Sequence, residues 1–231
     1  MSRASRLIPT PSLRAAGLVV LGLALAAIPA LAAADDPRPI DIGAARQLPL
    51  GTVVTVEGSV TVPSGDFSSS SFDEGFAIQD HTGGIYVSVA TNLGLTVRQR
   101  VLVTGQLVDS FGLLTLVPAS DGDVEVLRGH GQTVQPLWVR TGSVGAANQG
   151  KLVRVVGVIT QPVVPDPPFG DKVFVDDGSG PIRIFVNTST GIDVSALAQG
   201  QLLSVTGFSS AFNDPEIDPR FQSDLRQPAN R

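Results

Sequence analysis

Few residues of this chain have the types and spacing that catalysis requires. The two histidines are His81, inside a predicted hairpin turn, and His130, in a glycine-flanked segment, and neither has a partner at metal-ligand spacing. The chain contains no cysteine, no Gly-x-Ser-x-Gly sequence and no glycine-rich phosphate loop. Ser68 to Ser71, followed by Asp73 and Glu74, is typical of a mobile polar loop and not of a nucleophile beside its base. The sequence therefore predicts a protein that is not an enzyme and has no catalytic residue, metal or cofactor.

Two acidic clusters have the alternating spacing that a calcium site uses. They are Asp121-Gly122-Asp123-Val124-Glu125 and Asp214-Pro215-Glu216-Ile217-Asp218. Alternate carboxylates on an extended segment point to one side, where they can surround a hard cation. Neither cluster has the glycine and the distant glutamate of an EF-hand loop, so solvated loop charge is the favoured interpretation of both.

The candidate binding residues lie in the C-terminal half, on predicted strands with period-two alternation. One set of alternating positions is apolar and predicts the core, namely Val153, Val155, Val173, Val175, Ile182, Ile184 and Val186. Arginine and phenylalanine on the opposite, exposed sheet face would form a stacking platform for unpaired bases. The predicted nucleic-acid-binding residues on that face are Arg154, Phe174, Arg183 and Phe185. The alternative is that Phe174 and Phe185 pack under a loop or against the other domain.

The elements that position these residues are predicted to be strands. Beyond residue 34, Val, Ile, Thr and Phe stand in short alternating runs that Gly, Pro, Asp and Ser interrupt. No window of about ten residues or more carries a helical apolar stripe. The sequence therefore predicts an all-β protein.

Several ordered blocks of the chain occur twice. The matched pairs, in chain order, are Arg38–Ile40 with Gln135–Leu137, Leu50–Thr61 with Gln149–Thr160, Phe76–Val89 with Val173–Val186, and Val101–Gly105 with Leu203–Gly207. Their shifts are 97, 99, 97 and 102 residues. Ordered matches at nearly constant shift indicate a tandem duplication, with its boundary near residues 128–135.

Each copy has the features of a small five-stranded barrel. Its first strand ends on a glycine, Gly58 or Gly157, where a strongly bent strand can turn a barrel corner. An Asp-x-Thr/Ser-Gly sequence joins the second and third strands in a tight hairpin, whose Asp caps the turn and whose Gly accepts a positive φ. The fifth strand of the first copy is Gly112–Val117, whereas Asn213–Pro219 can at best be an edge strand because of its prolines. The predicted architecture is two tandem OB-type barrels, at residues 38–130 and 134–225.

The two units resemble the OB-fold modules of bacterial extracellular nucleases and related exported proteins. The resemblance is carried by Gly51–Gly58, Phe76–Asp80 with Gly83–Ile85, and Val101–Gly105, together with their partners in the second copy. It implies barrels that bind nucleic acid on the face of strands one to three. The catalytic domain of those nucleases has no counterpart here, and a fold resemblance alone does not assign a function.

Residues 1–34 have the pattern of a cleavable signal peptide. Three arginines precede the apolar run Gly17–Ile28, and small residues then allow cleavage after Ala32 or Ala34. The alternative is an uncleaved anchor over Ala15–Ala34, although its many alanines make it weakly apolar for a membrane helix. With cleavage we expect an exported protein, periplasmic or extracellular, with no membrane span left.

The charge of the chain bounds what it binds. Without residues 1–34, 13 of the 16 basic residues remain, together with 21 acidic ones, which gives a net charge of −8. This negative charge argues against strong electrostatic binding of phosphates. The leading hypothesis is nevertheless an exported, non-catalytic protein that binds single-stranded nucleic acid or an oligonucleotide through the second barrel. The alternative is an envelope protein-interaction or structural module without nucleic-acid binding. A third hypothesis is an accessory subunit of a separate secreted nuclease.

Overall fold

Residues 38–227 are described by a computed structural model, so the predicted signal peptide and its cleavage sites lie outside the described residues. The helices in this range are α1 (Ile42–Ala45), α2 (Ser68–Ser71) and 3₁₀ turns at Asp121–Asp123, Thr141–Ser143, Thr188–Thr190 and Gln222–Asp224. Across residues 38–227, no helix has the length and apolar character that crossing a membrane requires.

The first sheet closes into a five-stranded barrel, which we call barrel 1. Its strands are β1 (Val53–Val62), β2 (Phe76–Gln79), β3 (Gly84–Val87), β4 (Gln99–Ser110) and β5 (Leu113–Val117). They are arranged in the order β1-β2-β3-β5-β4, and β4 pairs back to β1. The β3–β5 pair is parallel and the other pairs are antiparallel. A sixth strand, β6 (Val124–His130), extends the sheet beside β4.

The second sheet repeats this topology as barrel 2. Its strands are β7 (Leu137–Trp138), β8 (Leu152–Ile159), β9 (Val164–Asp166), β10 (Gly170–Asp176), β11 (Ile182–Asn187), β12 (Leu202–Phe212), β13 (Asp214–Asp218) and β14 (Leu225–Arg226). The barrel strands follow the order β8-β10-β11-β13-β12, closed by the β12–β8 pair, and β11–β13 is again parallel. Five-stranded barrels with this strand order are OB folds, so the predicted fold class is confirmed.

One sequence prediction about barrel 2 is wrong. The prolines of Asn213–Pro219 indicate at most an edge strand, but β13 lies inside the barrel, between β11 and β12. Pro215 is opposite Ala211 of β12, and the parallel pairing to β11 begins only at Glu216. Because the prolines stand outside the ladder with β11, neither has to donate a hydrogen bond there, and the strand can be central.

The first strand of each barrel continues past the predicted glycine, to Val62 in β1 and Ile159 in β8, so the prediction that it ends there is wrong. β1 pairs with β4 from Val53 to Ser59 and then with β2 from Ser59 onward, so one strand serves both sides of the barrel. A Cβ atom on Gly58 would lie 3.1 Å from the Cβ of Ile78. A Cβ atom on Gly157 would lie 2.8 Å from the backbone carbon of Asp176. Glycine is therefore needed at both corners because the neighbouring strand passes too close for a side chain.

Asp80 and Asp177 cap the hairpins and also hold the segment that leads into each barrel. Asp80 accepts hydrogen bonds from two backbone N–H groups of its turn and, through Oδ2, from the N–H of Ile42 at 2.8 Å. Asp177 accepts from the Thr141 hydroxyl at 2.9 Å. The backbone N–H groups of Ile42 and Thr141 make the same contact with the hairpin aspartate of their own barrel, so these two residues are equivalent at a shift of 99 residues. The shift of 97 predicted for the leading segments is wrong by two residues.

The hairpin glycines differ from the prediction in one copy. Gly180 takes a φ of +126°, as a tight turn requires, but Gly83 does not take a positive φ. A Cβ atom on Gly83 would lie 3.1 Å from the backbone nitrogen of Gly43. Gly83 is therefore needed for the close approach of the leading segment and not for turn geometry.

The two barrels pack against each other with little space between their backbones. Each has its own core of buried aliphatic side chains, and a third buried cluster joins them. That cluster consists of Val62, Phe67, Ala77, Tyr86 and Phe208, with Leu113 packed against it. A Cβ atom on Gly84 of barrel 1 would lie only 2.0 Å from the carbonyl oxygen of Gly150. Both barrels accordingly belong to one compact unit.

Candidate ligand-binding cleft

The structure brings three of the four predicted site residues to one face of barrel 2. Phe174 of β10 stands opposite Arg183 of β11, and Lys172 stands opposite Phe185, so all four side chains lie on the same face. Phe174 and Arg183 are half-buried. Phe185 is only 6% exposed, and its ring lies so near Gly170 of β10 that a Cβ atom on that glycine would be 3.1 Å from it.

Arg154 does not join this group. Its Nε donates to the Thr206 hydroxyl at 2.9 Å, and its guanidinium lies over the Trp138 ring, 5.4 Å from the centroid. The residue that hydrogen-bonds to Phe174 is Thr160, directly after β8, whose N–H donates to the Phe174 carbonyl. Thr160 is six residues beyond Arg154, or about 20 Å along an extended chain. The predicted four-residue platform is therefore a three-residue one.

Arg183 and Phe185 line a cavity of about 480 Å³ between the barrels, which we call the inter-barrel cleft. Eight of the twelve aromatic residues of the chain line it. They are Phe67, Phe72, Tyr86 and Phe111 from barrel 1, and Phe169, Phe185, Phe208 and Phe212 from barrel 2. This concentration of aromatic side chains makes the cleft the leading candidate site of the protein.

Aromatic side chains at the mouth of the cleft meet in pairs across the two barrels. Phe72 contacts Phe169 edge to face, with ring centroids 5.5 Å apart, and Phe111 lies 5.0 Å from Phe212. We call these four residues the cleft mouth. Phe72 is 77% exposed, Phe111 62% and Phe212 48%. Large aromatic side chains left in solvent on one rim mark a surface that binds another molecule.

The segment Ser68–Ser71 holds one side of the mouth in place. It forms α2, and its serines hydrogen-bond across to barrel 2, where Ser69 and Ser70 contact Asn187 and the Ser69 hydroxyl donates to the Phe169 carbonyl at 2.9 Å. The polar loop predicted here is thus a short helix fastened to the second barrel. The serine hydroxyls of α2 take part in the packing of the two barrels.

The basic residues of the cleft are paired with carboxylates. Arg183 Nε lies 2.7 Å from a Glu216 oxygen, and an Nη of Arg183 donates to the Phe212 carbonyl at 3.0 Å. Lys172 Nζ lies 2.7 Å from Asp166. The positive charges of Arg183 and Lys172 are therefore partly neutralised by carboxylates of the protein itself, which weakens their attraction for a phosphate group.

Glu216 and Asp218 form the floor of the cleft, which we call the carboxyl floor. They are 5% and 4% exposed, so the prediction of solvated loop charge for this cluster is wrong. Burial raises the pKa of Asp218 well above its usual value, and the charge of Glu216 raises it further. Burial also raises the pKa of Glu216, against the opposing pull of Arg183. The other cluster, around Asp121 and Glu125, is exposed as expected.

The sequence of β13 contains a pattern that indicates to which side its two buried acidic residues point. Glu216, Ile217 and Asp218 alternate, and Ile217 is fully buried in the barrel core. An apolar residue between two acids in a fifth strand places both acids on the outward face. The sequence does not show that this outward face is covered by another barrel.

His81 is closer to acidic side chains than the sequence indicates. In the described part of the chain, Asp41, Asp80 and His81 bring their possible ligand atoms within 4.8 Å of one another. Asp80 is committed to the turn, because hydrogen bonds from Thr82, Ile42 and Gly83 outweigh its partial burial and lower its pKa. His81 thus lies in the hairpin turn, directly after the Asp80 that caps it.

Comparison with known proteins finds no matching family model and no matching curated protein. Among solved structures the chain is similar to a murine DNA-binding protein bound to double-stranded DNA, with 11% identity and a TM-score of 0.41 over 77% of this chain and 97% of that one. It is similar to fission yeast Pot1 with single-stranded DNA, with 9% identity and a TM-score of 0.38 over 83% and 88%. The hypothetical protein ygiW of E. coli has 17% identity and a TM-score of 0.30, over 38% and 89%. Similarity this distant leaves the ligand open, and the OB assignment rests on the strand order.

Proposed function

We propose that this chain is an exported, non-catalytic OB protein that binds single-stranded nucleic acid, with unpaired bases stacking on the cleft mouth and on Phe174. The observation that carries the proposal is the exposed aromatic rim formed by Phe72, Phe111 and Phe212 beside the β10–β11 face. Every base has a flat face that stacks on an aromatic ring, whatever its sequence. Export follows from the pattern of residues 1–34 and is part of the proposal.

The charges of the cleft support base contacts over phosphate contacts. Arg183 and Lys172 already have carboxylate partners, and the carboxyl floor would repel a phosphate. We therefore expect a shallow dependence of affinity on salt, equivalent to few phosphate contacts. The bases would lie on the mouth, with the backbone of the strand kept outside it.

A second candidate function is a protein-interaction module in the envelope. The net charge of −8 without residues 1–34 and the paired cations both favour a partner other than nucleic acid. An exposed aromatic rim also suits a protein partner, since aromatic residues are enriched at such interfaces. An accessory role beside a separate secreted nuclease belongs with the first candidate, because it too needs nucleic-acid binding.

A titration separates the two candidates. Fluorescence anisotropy of a labelled oligothymidylate at low salt should show binding, and the double change Phe72→Ala and Phe212→Ala should weaken it at least about tenfold. Trp138→Ala is the matched control, because Trp138 is 63% exposed but lies outside the cleft. Absence of wild-type binding at low salt would replace the nucleic-acid proposal with the interaction module.

A further inference from the structure

The carboxyl floor offers an acceptor that nothing in the described chain uses. Glu216 is satisfied by the Arg183 guanidinium, whereas Asp218 Oδ1 is buried and has no hydrogen-bond partner among residues 38–227. Asp218 is 4% exposed and lines the inter-barrel cleft. A buried acceptor without a donor is unfavourable, so a ligand group that donates there would be bound at a prepared position.

The surroundings of Asp218 favour a positively charged donor. Four carboxylic acids line the cleft (Asp166, Asp214, Glu216 and Asp218), against the two cations Lys172 and Arg183. The rest of the lining is largely aromatic, and aromatic faces attract cations. A cavity of about 480 Å³ is the size of a small organic molecule.

We propose that the inter-barrel cleft binds an organic amine, with its ammonium group on Asp218 Oδ1 and an aromatic or apolar body between the phenylalanines of the two barrels. This site is distinct in chemistry from the nucleic-acid contacts proposed above and does not depend on them. Arg183 holds Glu216 in place and the Ser210 hydroxyl lies near Asp218, whose Oδ1 still has no hydrogen-bond partner among residues 38–227, so the ammonium group would donate to that oxygen.

A matched series of indoles tests the charge requirement. Tryptamine carries an ammonium group, tryptophol a hydroxyl and indole-3-propionate a carboxylate on nearly the same body. Isothermal titration calorimetry of the purified protein should show tryptamine binding at least about tenfold tighter than tryptophol, and no binding of indole-3-propionate. Equal binding of tryptamine and tryptophol, or no binding of tryptamine, would overturn the proposal.

Substitutions then assign the contact to one residue. Asp218→Asn keeps the shape and removes the charge, so it should weaken tryptamine at least about tenfold and leave tryptophol nearly unchanged. Asp121→Asn is the control, because Asp121 is exposed and lies outside the cleft. A circular-dichroism melt confirms that each variant is folded. If Asp218→Asn binds tryptamine as the wild type does, the ammonium group lies elsewhere and the proposal is wrong.

The pH dependence of tryptamine binding gives an independent measurement. Binding requires the ionised Asp218, so affinity should rise with pH and binding should release a proton. The groups that face Asp218 are Glu216 on its own strand, Arg183 on β11 and Tyr86 on β3, with Lys172 on β10 beyond Glu216. Proton release, measured by calorimetry in two buffers, should disappear in Asp218→Asn. Oligonucleotide binding needs no such proton release. A negative result for amine binding therefore leaves the nucleic-acid proposal standing, and a negative result for oligonucleotide binding leaves the amine proposal standing.

Discussion

Barrels 1 and 2 share one topology and differ most on the outward face where the third strand meets the fifth. In barrel 1, Tyr86 of β3 pairs with Thr115 of β5, and both are buried and uncharged. In barrel 2, the same positions hold Arg183 and Glu216, which form an ion pair at 2.7 Å. The inward residues beside them are aliphatic in both copies. The copies thus kept the core and diverged on the outside.

The divergence follows what each outward face packs against. Ala77 and Tyr86 of barrel 1 belong to the buried cluster around Phe208, so this barrel uses its face to hold the other one. The matching residues of barrel 2, Phe174 and Arg183, remain partly accessible beside the cleft. One strand face therefore serves as an interface in one copy and as a candidate binding surface in the other. The residues on the outward face decide whether it serves as an interface or as a binding surface, because the fold of the two barrels is the same.

The largest expected effect concerns the interface. Phe208 is 1% exposed and its ring lies 6.1 Å from those of Phe67 and Tyr86, so Phe208→Ala should lower the free energy of unfolding by about 3–5 kcal/mol. Urea denaturation followed by fluorescence measures it. Phe111→Ala is the control, and its 62% exposed ring should cost less than about 1 kcal/mol. Equal losses for the two variants would mean that the barrels are not joined through Phe208.

The next effect tests whether only barrel 2 has a binding face. Phe174→Ala should weaken oligonucleotide binding at least about fivefold, because a stacked base contributes about 1–3 kcal/mol, whereas the buried Phe185 offers no face for a base. Ser88 of barrel 1 stands where barrel 2 has Phe185, so Ser88→Ala should leave binding unchanged. Anisotropy titrations measure both. A comparable loss from Ser88→Ala would show that the barrel 1 face also takes part.

Much of the fold could be predicted because it depends on local patterns. Alternation identified the core residues Val153, Val155 and Val173, all of which are fully buried. The corner glycines and hairpin aspartates are local signals too, and they recur where the duplication places them. The OB-type barrel was inferred from these elements together with the repeat.

The cleft could not be predicted, because it depends on how two barrels meet. Alternation places Glu216 and Asp218 on an outward face, but it cannot say whether water or another barrel covers that face. Phe72 and Phe169 come from loops about a hundred residues apart, and no sequence pattern couples them. Arg154 was grouped with Phe174 because alternation gives a face but not a position along a long, bent strand.

A smaller expected effect is on the pH dependence of stability, which should differ between the fifth strands of the two barrels. Because the folded-state pKa of Asp218 is raised, the unfolded chain ionises first as pH rises, and the folded protein loses stability above the unfolded pKa of about 4. Asp218→Asn should remove this loss, so its stability relative to the wild type should be higher at pH 8 than at pH 4. Val117 is the barrel 1 counterpart, and Val117→Asn should leave the pH slope unchanged. A pH series of urea denaturations measures both, and a wild type that gains stability from pH 4 to 8 relative to Asp218→Asn would contradict the assignment.

The smallest effect separates the two arginines of barrel 2. Arg154 stacks on Trp138 and bonds Thr206, away from the cleft, so Arg154→Ala should change oligonucleotide affinity by less than about twofold. Arg183→Gln should weaken it more, because Arg183 lies beside Phe174 on the same face, but should leave the shallow salt dependence nearly unchanged, because Arg183 is already paired with Glu216. Titrations at two salt concentrations measure both quantities. Equal losses for the two variants would mean that a bound strand runs along β8 as well as β11, and the binding surface would then have to include the outer face of the first strand.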